Sequence, residues 1–259
     1  MPTVLAVMAH PDDIEFTCAG TLALLRRAGW TVHMATMTAG DLGSSSLSRT
    51  EIARLRRAEA AASAALLGAG YTCLGFDDLL VSCDEESKRR VTALLRKVRP
   101  DLVLAPSPED YMDDHRLTPR IVREAAFAST IPLWEASLEG ERPPCAERIP
   151  ALLYADPIGN VDPSGRRLRP RYVVDITPVI GIKERMLACH ASQREWLRAQ
   201  HGEDEYLESM RRWSADRARD FRRRSVKYAE GFVPHLGHGF PRGDLLTGAL
   251  GKARVKVLD

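Results

Sequence analysis

One imidazole and two carboxylates stand directly after the first apolar segment of the chain. This segment, residues 3–9, has the length of a strand, and His10, Asp12 and Asp13 follow it. Such a run is typical of a buried parallel strand, and open α/β sheets bind ligands just beyond the carboxyl ends of their strands. Imidazole and carboxylate are zinc ligands, and a second carboxylate can stay free as a base. The segment therefore predicts a metal-assisted active site.

Structural roles account for the same residues without any chemistry. Asp12 or Asp13 can cap the helix that begins near Glu15, and His10 can be a satisfied histidine at a strand end. Acidic pairs after a first strand also occur in phospho-acceptor receiver domains. The first segment alone leaves these alternatives open.

A second polar loop follows the fourth predicted strand, residues 101–105. It contains Asp113, Asp114 and His115. Because parallel strands end at the same edge of a sheet, this loop emerges beside His10. His115 can supply a third ligand, and three protein ligands plus water are the usual form of a catalytic zinc site, in which Asp114 can orient a ligand. A surface histidine and a helix cap are the alternatives.

Strand and helix patterns alternate around these loops. Apolar runs predict strands at residues 3–9, 31–38, 71–76, 101–105, 151–156 and 172–177, and amphipathic patterns predict helices at residues 15–28, 48–67, 84–98, 118–129, 178–198 and 203–229. Helix-length crossovers between successive strands indicate an α/β fold with a parallel, doubly wound sheet. Because no Gly-x-Gly-x-x-Gly follows the first strand, a dinucleotide-binding site would lack its phosphate cradle.

The remaining segments predict loops. Residues 130–148 are irregular, and residues 230–246 form a tail rich in Gly, Pro and His, in which His235 and His238 are interpreted as loop residues. The polar loop at residues 39–46 lies at the same sheet edge as His10. It is either one wall of the site or a plain surface loop.

The helix at residues 48–67 carries an unusual charged pair. Arg56 and Glu59 are three apart and therefore neighbours on one helix face, which by spacing alone predicts a surface ion pair. The positions predicted to face inward are Ile52, Leu55, Ala62 and Leu66.

Composition restricts the class of protein. The 259 residues include 37 basic and 35 acidic side chains, a net charge of +2 that argues against a nucleic-acid or membrane-surface protein. The five cysteines form no CxxC pair, which favours a reducing compartment and neither a disulfide framework nor a cysteine zinc site. The first apolar run is too short for a signal peptide. We therefore expect a cytoplasmic protein with one domain, residues 1–259, comprising a core at 1–200 and a C-terminal helix and tail at 201–259.

Five motifs in a fixed order resemble the PIG-L/LmbE-like deacetylases, zinc-dependent enzymes that act on N-acetylglucosaminyl compounds. The motifs are Ala9-His-Pro-Asp-Asp13 with Gly20-Thr21, Arg56-x-x-Glu59, Leu74-Gly-Phe-x-Asp78, Asp114-His115-Arg116 and His190-x-Ser192-Gln193. They extend to residue 193, so the resemblance covers most of the chain. The first motif combined with Asp114-His115-Arg116 is the specific part.

The resemblance implies a Rossmann-like fold and a zinc ion, or another divalent metal such as Fe²⁺, held by His10, Asp13 and His115. It makes Asp12 the general base and Asp114 a supporting acid. It also implies that Arg56 and Asp78 bind an N-acetylated, sugar-containing small molecule, and that the chain forms a homo-oligomer, a trimer or hexamer.

One position departs from the family pattern. Relatives often have His-Pro-Asp-His in the second loop, whereas this chain has Met112 at the first of these positions. Met112 cannot transfer a proton, so His190 can compensate or Asp12 can act as both base and acid. Tyr111 is a candidate oxyanion donor.

The sequence as a whole favours metal-assisted amide hydrolysis. Zinc would lower the pKa of its bound water to about 7, Asp12 would take the proton, and the metal would stabilise the oxyanion. A catalytically degenerate metal- or carbohydrate-binding module of the same fold is the alternative. A receiver-like or nucleotide-binding protein is disfavoured, because neither a phosphate loop nor a receiver's later Thr/Lys pattern is evident.

Overall fold

The computed structural model describes residues 1–201 and 205–259, with side chains except in 199–205. In this part of the chain eight strands form one sheet in the order β3-β2-β1-β4-β5-β7-β6-β8. The strands are β1 (Thr3–Met8), β2 (Thr31–Thr38), β3 (Gly70–Phe76), β4 (Leu102–Ala105), β5 (Ala151–Ala155), β6 (Tyr172–Asp175), β7 (Ala229–Pro234) and β8 (Val255–Val257).

The first five strands are parallel, and the last three are added in antiparallel pairings. β1 pairs in parallel with β2 and β4, and β5 pairs in parallel with β4. β7 lies between β5 and β6 and is antiparallel to both. The predicted α/β fold with a mostly parallel sheet is confirmed.

Helices cover both faces of this sheet. They are α1 (Asp13–Thr17), α2 (Ala19–Arg27), α3 (Arg49–Ala65), α4 (Glu85–Val98), α5 (Asp113–Ala128), α6 (Ile180–Ala188), α7 (Ala191–His201), α8 (Glu205–Ala218) and α9 (Leu245–Leu250). Capping boxes begin α3 at Ser48 and α4 at Asp84. Among the described residues, no helix is both long and apolar enough to cross a membrane.

The continuous apolar run of β1 is explained by burial on both faces. Val4, Ala6 and Met8 pack into the core formed with α2, whereas Leu5 and Val7 pack into the core formed with α4 and α5. Side chains alternate between the two faces of a strand, so only a strand covered on both faces can be apolar at every position. Packing on both faces therefore fixes the position of β1 up to its carboxyl end, just before His10.

The predicted helix at residues 15–28 is two helices, because the chain turns at Cys18 between α1 and α2. The first amides of α2 are capped from a distant strand: Gly20 N and Thr21 N donate to the carboxylate of Glu230 at 2.9 and 2.7 Å. Gly20 allows this close packing, since a Cβ there would lie 2.8 Å from the side chain of Ile176.

The predicted loop at residues 230–246 and the predicted helix up to Ala229 are both wrong in part. Helix α8 ends at Ala218, and residues 229–234 form β7 inside the sheet. Residues 202–204, where this helix was predicted to begin, lie outside the described part of the chain. Gly231 has a steric role in β7, because a Cβ there would overlap the Asp156 carboxylate and lie 3.0 Å from Arg217 Nε. Gly and Pro are rare in strands, so the sequence of β7 does not predict a strand.

A fully buried ion pair attaches β7 to α6 and α2. Lys183 Nζ donates to Glu230 Oε1 at 2.6 Å and to Phe16 O at 2.9 Å. The Lys183 side chain is 0% exposed. A buried carboxylate is stabilised only while its partners remain, so this pair fixes the position of α1 and α2 below the end of β1.

We expect Lys183→Met to lower the free energy of unfolding by about 3–5 kcal/mol, because it leaves Glu230 buried without its cation. Urea unfolding measures this change. Lys97→Met is the matched control: Lys97 pairs with Glu141 at 2.7 Å, but both side chains are exposed, and its urea midpoint should be nearly unchanged. Equal shifts in the two variants would contradict the role given to the buried pair.

Candidate active site

Three donor atoms form a triangle at the carboxyl edge of the sheet: His10 follows β1, Asp13 begins α1, and His115 lies in the first turn of α5. His10 Nδ1 lies 3.1 Å from His115 Nε2 and 3.6 Å from Asp13 Oδ2. The third side, from His115 Nε2 to Asp13 Oδ2, is 3.4 Å. These residues form a group that could hold a metal ion. The structure thus brings together the three predicted ligands.

The size of the triangle suits a small tetrahedral cation. Metal–ligand bonds of about 2.0–2.2 Å in a tetrahedral zinc site place neighbouring donor atoms about 3.3–3.6 Å apart. The side chains of His10 and Asp13 are each 10% exposed, so the triangle is largely buried but keeps some contact with solvent. Two imidazoles and one carboxylate are also the donor set of non-haem iron(II) sites, so geometry alone fits either metal.

Each imidazole is oriented by a carboxylate behind it. His10 Nε2 lies 3.0 Å from Asp114 Oδ2, and His115 Nδ1 lies 3.1 Å from Asp110 Oδ1. In each ring the nitrogen that faces the carboxylate is positioned to keep its proton. With a metal ion bound, the other nitrogen would present its lone pair to the triangle, which is the arrangement of metal-bound histidines.

Asp114 is fixed in turn by backbone amides of the loop after β3. Leu79 N donates to Asp114 Oδ2 at 2.7 Å, and Val81 N donates to Oδ1 at 3.3 Å. Leu79 has a left-handed backbone with φ of 64°, which a leucine adopts only when its surroundings enforce it. The loop after β3 is therefore built to hold the carboxylate behind His10.

Asp78, predicted to bind substrate, connects two loops in the structure. Its Oδ2 accepts from Leu42 N at 3.0 Å, and its own amide donates to Asp41 Oδ1 at 2.8 Å. Its Oδ1 lies 4.0 Å from His10 Nε2. The loop at residues 39–46 is thus tied to the histidine end of the site, which favours a wall of the site over a plain surface loop.

The electrostatics of the triangle favour a cation. Burial lowers the pKa of His10, but hydrogen bonds to Asp114 and Asp13 outweigh it and raise that pKa to about 10. Burial also opposes ionisation of Asp13, yet His115 and His10 hold its pKa well below the ordinary value. The acidic surroundings therefore retain protons on the imidazoles, and a metal ion would replace this positive charge.

Asp12 stands apart from the triangle and has its own partners. Its backbone is left-handed, with φ of 99°. Tyr206 Oη donates to Asp12 Oδ2 at 2.6 Å, and Arg56 Nη2 lies 3.4 Å from the same oxygen. Burial raises the pKa of Asp12 despite the neighbouring Arg56. The carboxylate next to the predicted ligands is therefore desolvated and oriented, as a general base requires.

Arg56 and Glu59 do not form the surface ion pair that their spacing predicted. Both are buried, and Arg56 Nη2 donates to Pro11 O at 2.7 Å. Glu59 accepts from Ser192 N at 2.8 Å and thereby joins α3 to α7. The buried face of α3 is therefore partly polar.

The inward face predicted for α3 is correct at only one of its four positions. Ile52 is buried as predicted, whereas Leu55 and Leu66 are exposed. Ala62 is also exposed. Arg56, Glu59 and Ser63 are buried on the inward face of α3, where an amphipathic pattern places apolar residues.

Tyr111 and His190, the other predicted site residues, differ in burial. The Tyr111 ring packs edge-on against His115, with 5.4 Å between centroids, and is 68% exposed. His190 is fully buried, with Nε2 3.3 Å from Glu15 Oε1. Burial lowers the pKa of His190, but Glu15 outweighs it and raises that pKa. Met112 is the residue before α5 and brings no titratable group to this loop.

The sequence motifs assign no role to Tyr206, Asp110 or Glu15. Asp110 lies in the polar loop after β4, and a carboxylate near a predicted histidine ligand is a usable signal. Glu15 accepts a hydrogen bond from Ser63. Tyr206 has no local signal, because its contact with Asp12 spans 194 residues of sequence.

A family model and two curated relatives match this chain. The model described as "PIG-L: GlcNAc-PI de-N-acetylase" matches residues 5–126. A 4-oxalmesaconate hydratase of Pseudomonas putida is 28% identical over 202 residues, which are 74% of this chain and 74% of the relative. A diacetylchitobiose deacetylase of Thermococcus kodakarensis is 28% identical over 203 residues, which are 73% of this chain and 69% of the relative.

A solved deacetylase structure is similar to this chain in fold. The N,N'-diacetylchitobiose deacetylase of Pyrococcus horikoshii superimposes with a TM-score of 0.73 and 27% identity, covering 94% of this chain and 88% of that one. The segment matched by the family model contains His10, Asp12, Asp13 and His115 and ends before Tyr206.

Gly40 is predicted to be essential to the loop beside Arg56. Gly40 and Gly29 both have positive φ, of 71° and 87°. A Cβ at Gly40 would also lie within 2.6 Å of Arg56 Nε, whereas one at Gly29 meets nothing within 4 Å. We expect Gly29→Ala to cost about 1–2 kcal/mol of stability for the left-handed backbone, and Gly40→Ala about 1–3 kcal/mol more for the steric overlap.

Urea unfolding of the two glycine variants tests this expectation. Gly40→Ala should also reduce activity, because the guanidinium must move away from Asp12. Equal losses of stability in the two variants would show that Arg56 is not fixed where the structure has it.

Proposed function

We propose that this chain, which matches the PIG-L family model over residues 5–126, is a PIG-L/LmbE-like enzyme: a metal-dependent hydrolase that removes the acyl group from an N-acetylated sugar or a related N-acyl small molecule. The observation that supports this most directly is the donor triangle with a separate, oriented carboxylate beside it. Binding and base catalysis are thereby assigned to different residues.

Zinc is the metal we propose, and His10, Asp13 and His115 would hold it. Two histidines and one carboxylate are a common set of protein ligands in catalytic zinc sites. When bound there, zinc would lower the pKa of a water molecule to about 7 and polarise the amide carbonyl. Asp114 and Asp110 would keep the two imidazoles in the tautomers that binding requires.

The remaining steps belong to the side chains of the chain itself. Asp12 accepts a proton from the attacking water and returns it to the nitrogen of the leaving amine as the C–N bond breaks. Met112 offers no proton donor, so this return also falls to Asp12. Tyr111, exposed beside His115, is proposed to donate a hydrogen bond to the developing oxyanion.

His190 and Arg56 are proposed to act on Asp12 through their charges rather than by contact with the substrate. Both are buried, and their positive charges favour the ionised form of Asp12. Asp78 is proposed to shape the substrate side of the site through the loop at Leu42. The direct contacts of Arg56 and Asp78 with substrate, and the homo-oligomer, remain predictions from the family resemblance.

Hydration of an unsaturated oxo-acid is a second candidate function. The Pseudomonas putida hydratase is as similar to this chain as the deacetylase relative is, at 28% identity in both cases. A hydratase also needs an activated water and a base, and Met112 removes an acid that amide cleavage would use. An inactive binding module remains the third candidate.

An assay on two substrates separates these functions. We expect the protein with zinc restored to release amine from N-acetylglucosamine or N,N'-diacetylchitobiose and to leave the ultraviolet absorbance of 4-oxalmesaconate unchanged. The reverse result would establish the hydratase. Metal bound at one ion per chain with neither reaction, over a wider set of N-acyl compounds, would favour the binding module.

Variants of the site should separate metal binding from catalysis. Asp12→Asn is expected to retain one metal ion per chain but lose about 100-fold or more in kcat, since general-base catalysis contributes about 10²–10⁴-fold. His115→Ala is expected to lose the metal, as elemental analysis would show. His235→Ala is the control, because this histidine lies beside Tyr154 rather than in the triangle. Normal turnover by Asp12→Asn would refute the assignment of the base.

A further inference from the structure

We propose that Tyr206 is the residue that positions the general base, by holding one oxygen of Asp12 so that the other faces the attacking water. This inference rests on the proposed function, since it deepens the role given to Asp12. Tyr206 lies on α8, beyond the residues matched by the family model and beyond the motifs found in the sequence.

The hydrogen bond itself singles out one carboxylate oxygen. Tyr206 Oη donates to Asp12 Oδ2 at 2.6 Å, and the guanidinium of Arg56 lies 3.4 Å from the same atom. Neither contact uses Oδ1. A carboxylate with two donors on one oxygen cannot rotate freely, and Oδ1 is left as the atom that accepts a proton.

Tyr206 is the stronger of the two contacts. Hydrogen bonds from a hydroxyl to a carboxylate are short, about 2.5–2.7 Å, and the bond from Tyr206 has this length. Arg56 Nη2 makes its own short bond to Pro11 O, at 2.7 Å, and approaches Asp12 less closely. Removal of the Tyr206 hydroxyl therefore leaves Asp12 with its long contact alone.

The phenol is held in place by packing on its other side. Tyr206 is 5% exposed, and its ring meets Phe16 edge-on with 5.0 Å between centroids. Leu187 and Met210 belong to the same buried cluster. Because the ring is fixed by these contacts, its hydroxyl is a rigid donor that is in place before substrate binds.

Asp12 needs such a donor because it is adjacent to Asp13, a proposed metal ligand. Asp13 is adjacent in sequence and faces the triangle, and the backbone at Asp12 is left-handed. Without a fixed partner the Asp12 carboxylate could turn toward the metal as a fourth ligand. It would then no longer be available as a base.

The variant Tyr206→Phe tests the inference, because it removes the hydroxyl and preserves the ring that packs on Phe16. We expect kcat to fall about 10- to 100-fold, the effect of losing one hydrogen bond to a charged group, with KM within about twofold. Metal content should stay close to that of the unaltered enzyme, and the free energy of unfolding from urea should fall only by about 1.5–3 kcal/mol, the cost of a lost hydrogen bond to a charged group. Unchanged kcat, or a change confined to KM, would overturn the inference.

Tyr154→Phe is the matched control. Its hydroxyl lies 3.2 Å from His235 Nδ1 and is also largely buried, but it has no part in the proposed chemistry. We expect its kcat to equal that of the unaltered enzyme. An equal fall in both variants would mean that the loss reflects general packing and would also overturn the inference.

A double variant shows whether the hydroxyl acts through Asp12. In the Asp12→Asn background, Tyr206→Phe should cause little further loss, because the carboxylate it positions is already gone. A further loss of 10-fold or more would show that Tyr206 acts independently and would refute the positioning role. If the unaltered enzyme itself releases no amine, the proposed function fails first, which distinguishes the two failures.

Discussion

The site depends on the in-register parallel pairing of β1 with β4. Val4 pairs with Leu102 and Ala6 with Leu104, so the two strands end within one residue of each other. This alignment brings His10 and His115, separated by 105 residues of sequence, to 3.1 Å between ring nitrogens. Because β1 is buried on both faces, its end cannot shift without disturbing both cores. The precision of the donor triangle therefore comes from the sheet.

Burying so many acids at one sheet edge creates an electrostatic demand that the fold meets locally. Asp13, Asp78, Asp110 and Asp114 are all buried there. Each has an imidazole or a backbone amide as a close partner, so none is left as an isolated charge. The remaining excess of negative charge favours protons or a metal ion between the histidines. This excess of negative charge suits the site to bind a cation.

The positions that sequence analysis brought together are those adjacent to strand ends. His10 and Asp13 directly follow the apolar run of β1, and His115 lies in the first turn of α5, which begins earlier than the predicted start at residue 118; the topology of a parallel sheet brings both segments to the same edge. The surface ion pair predicted for Arg56 was wrong, because spacing along a helix shows which residues share a face. It does not show which other elements cover that face. β7 was missed because its Gly and Pro suggest a loop, and only its place between β5 and β6 makes it a strand.

The two parts of the chain contribute differently to the site. The segment matched by the family model provides the donor triangle and Asp12, whereas His190, Ser192 and Tyr206 come from α7, α8 and the turn before them. These later residues contact Asp12, Glu15 and Glu59 rather than the triangle. Under the proposed function, changes in the C-terminal helices would alter how Asp12 is held and leave the three proposed metal ligands unchanged. Relatives named as deacetylases and as a hydratase are compatible with such a division, since both reactions need an activated water but differ in where the proton must go.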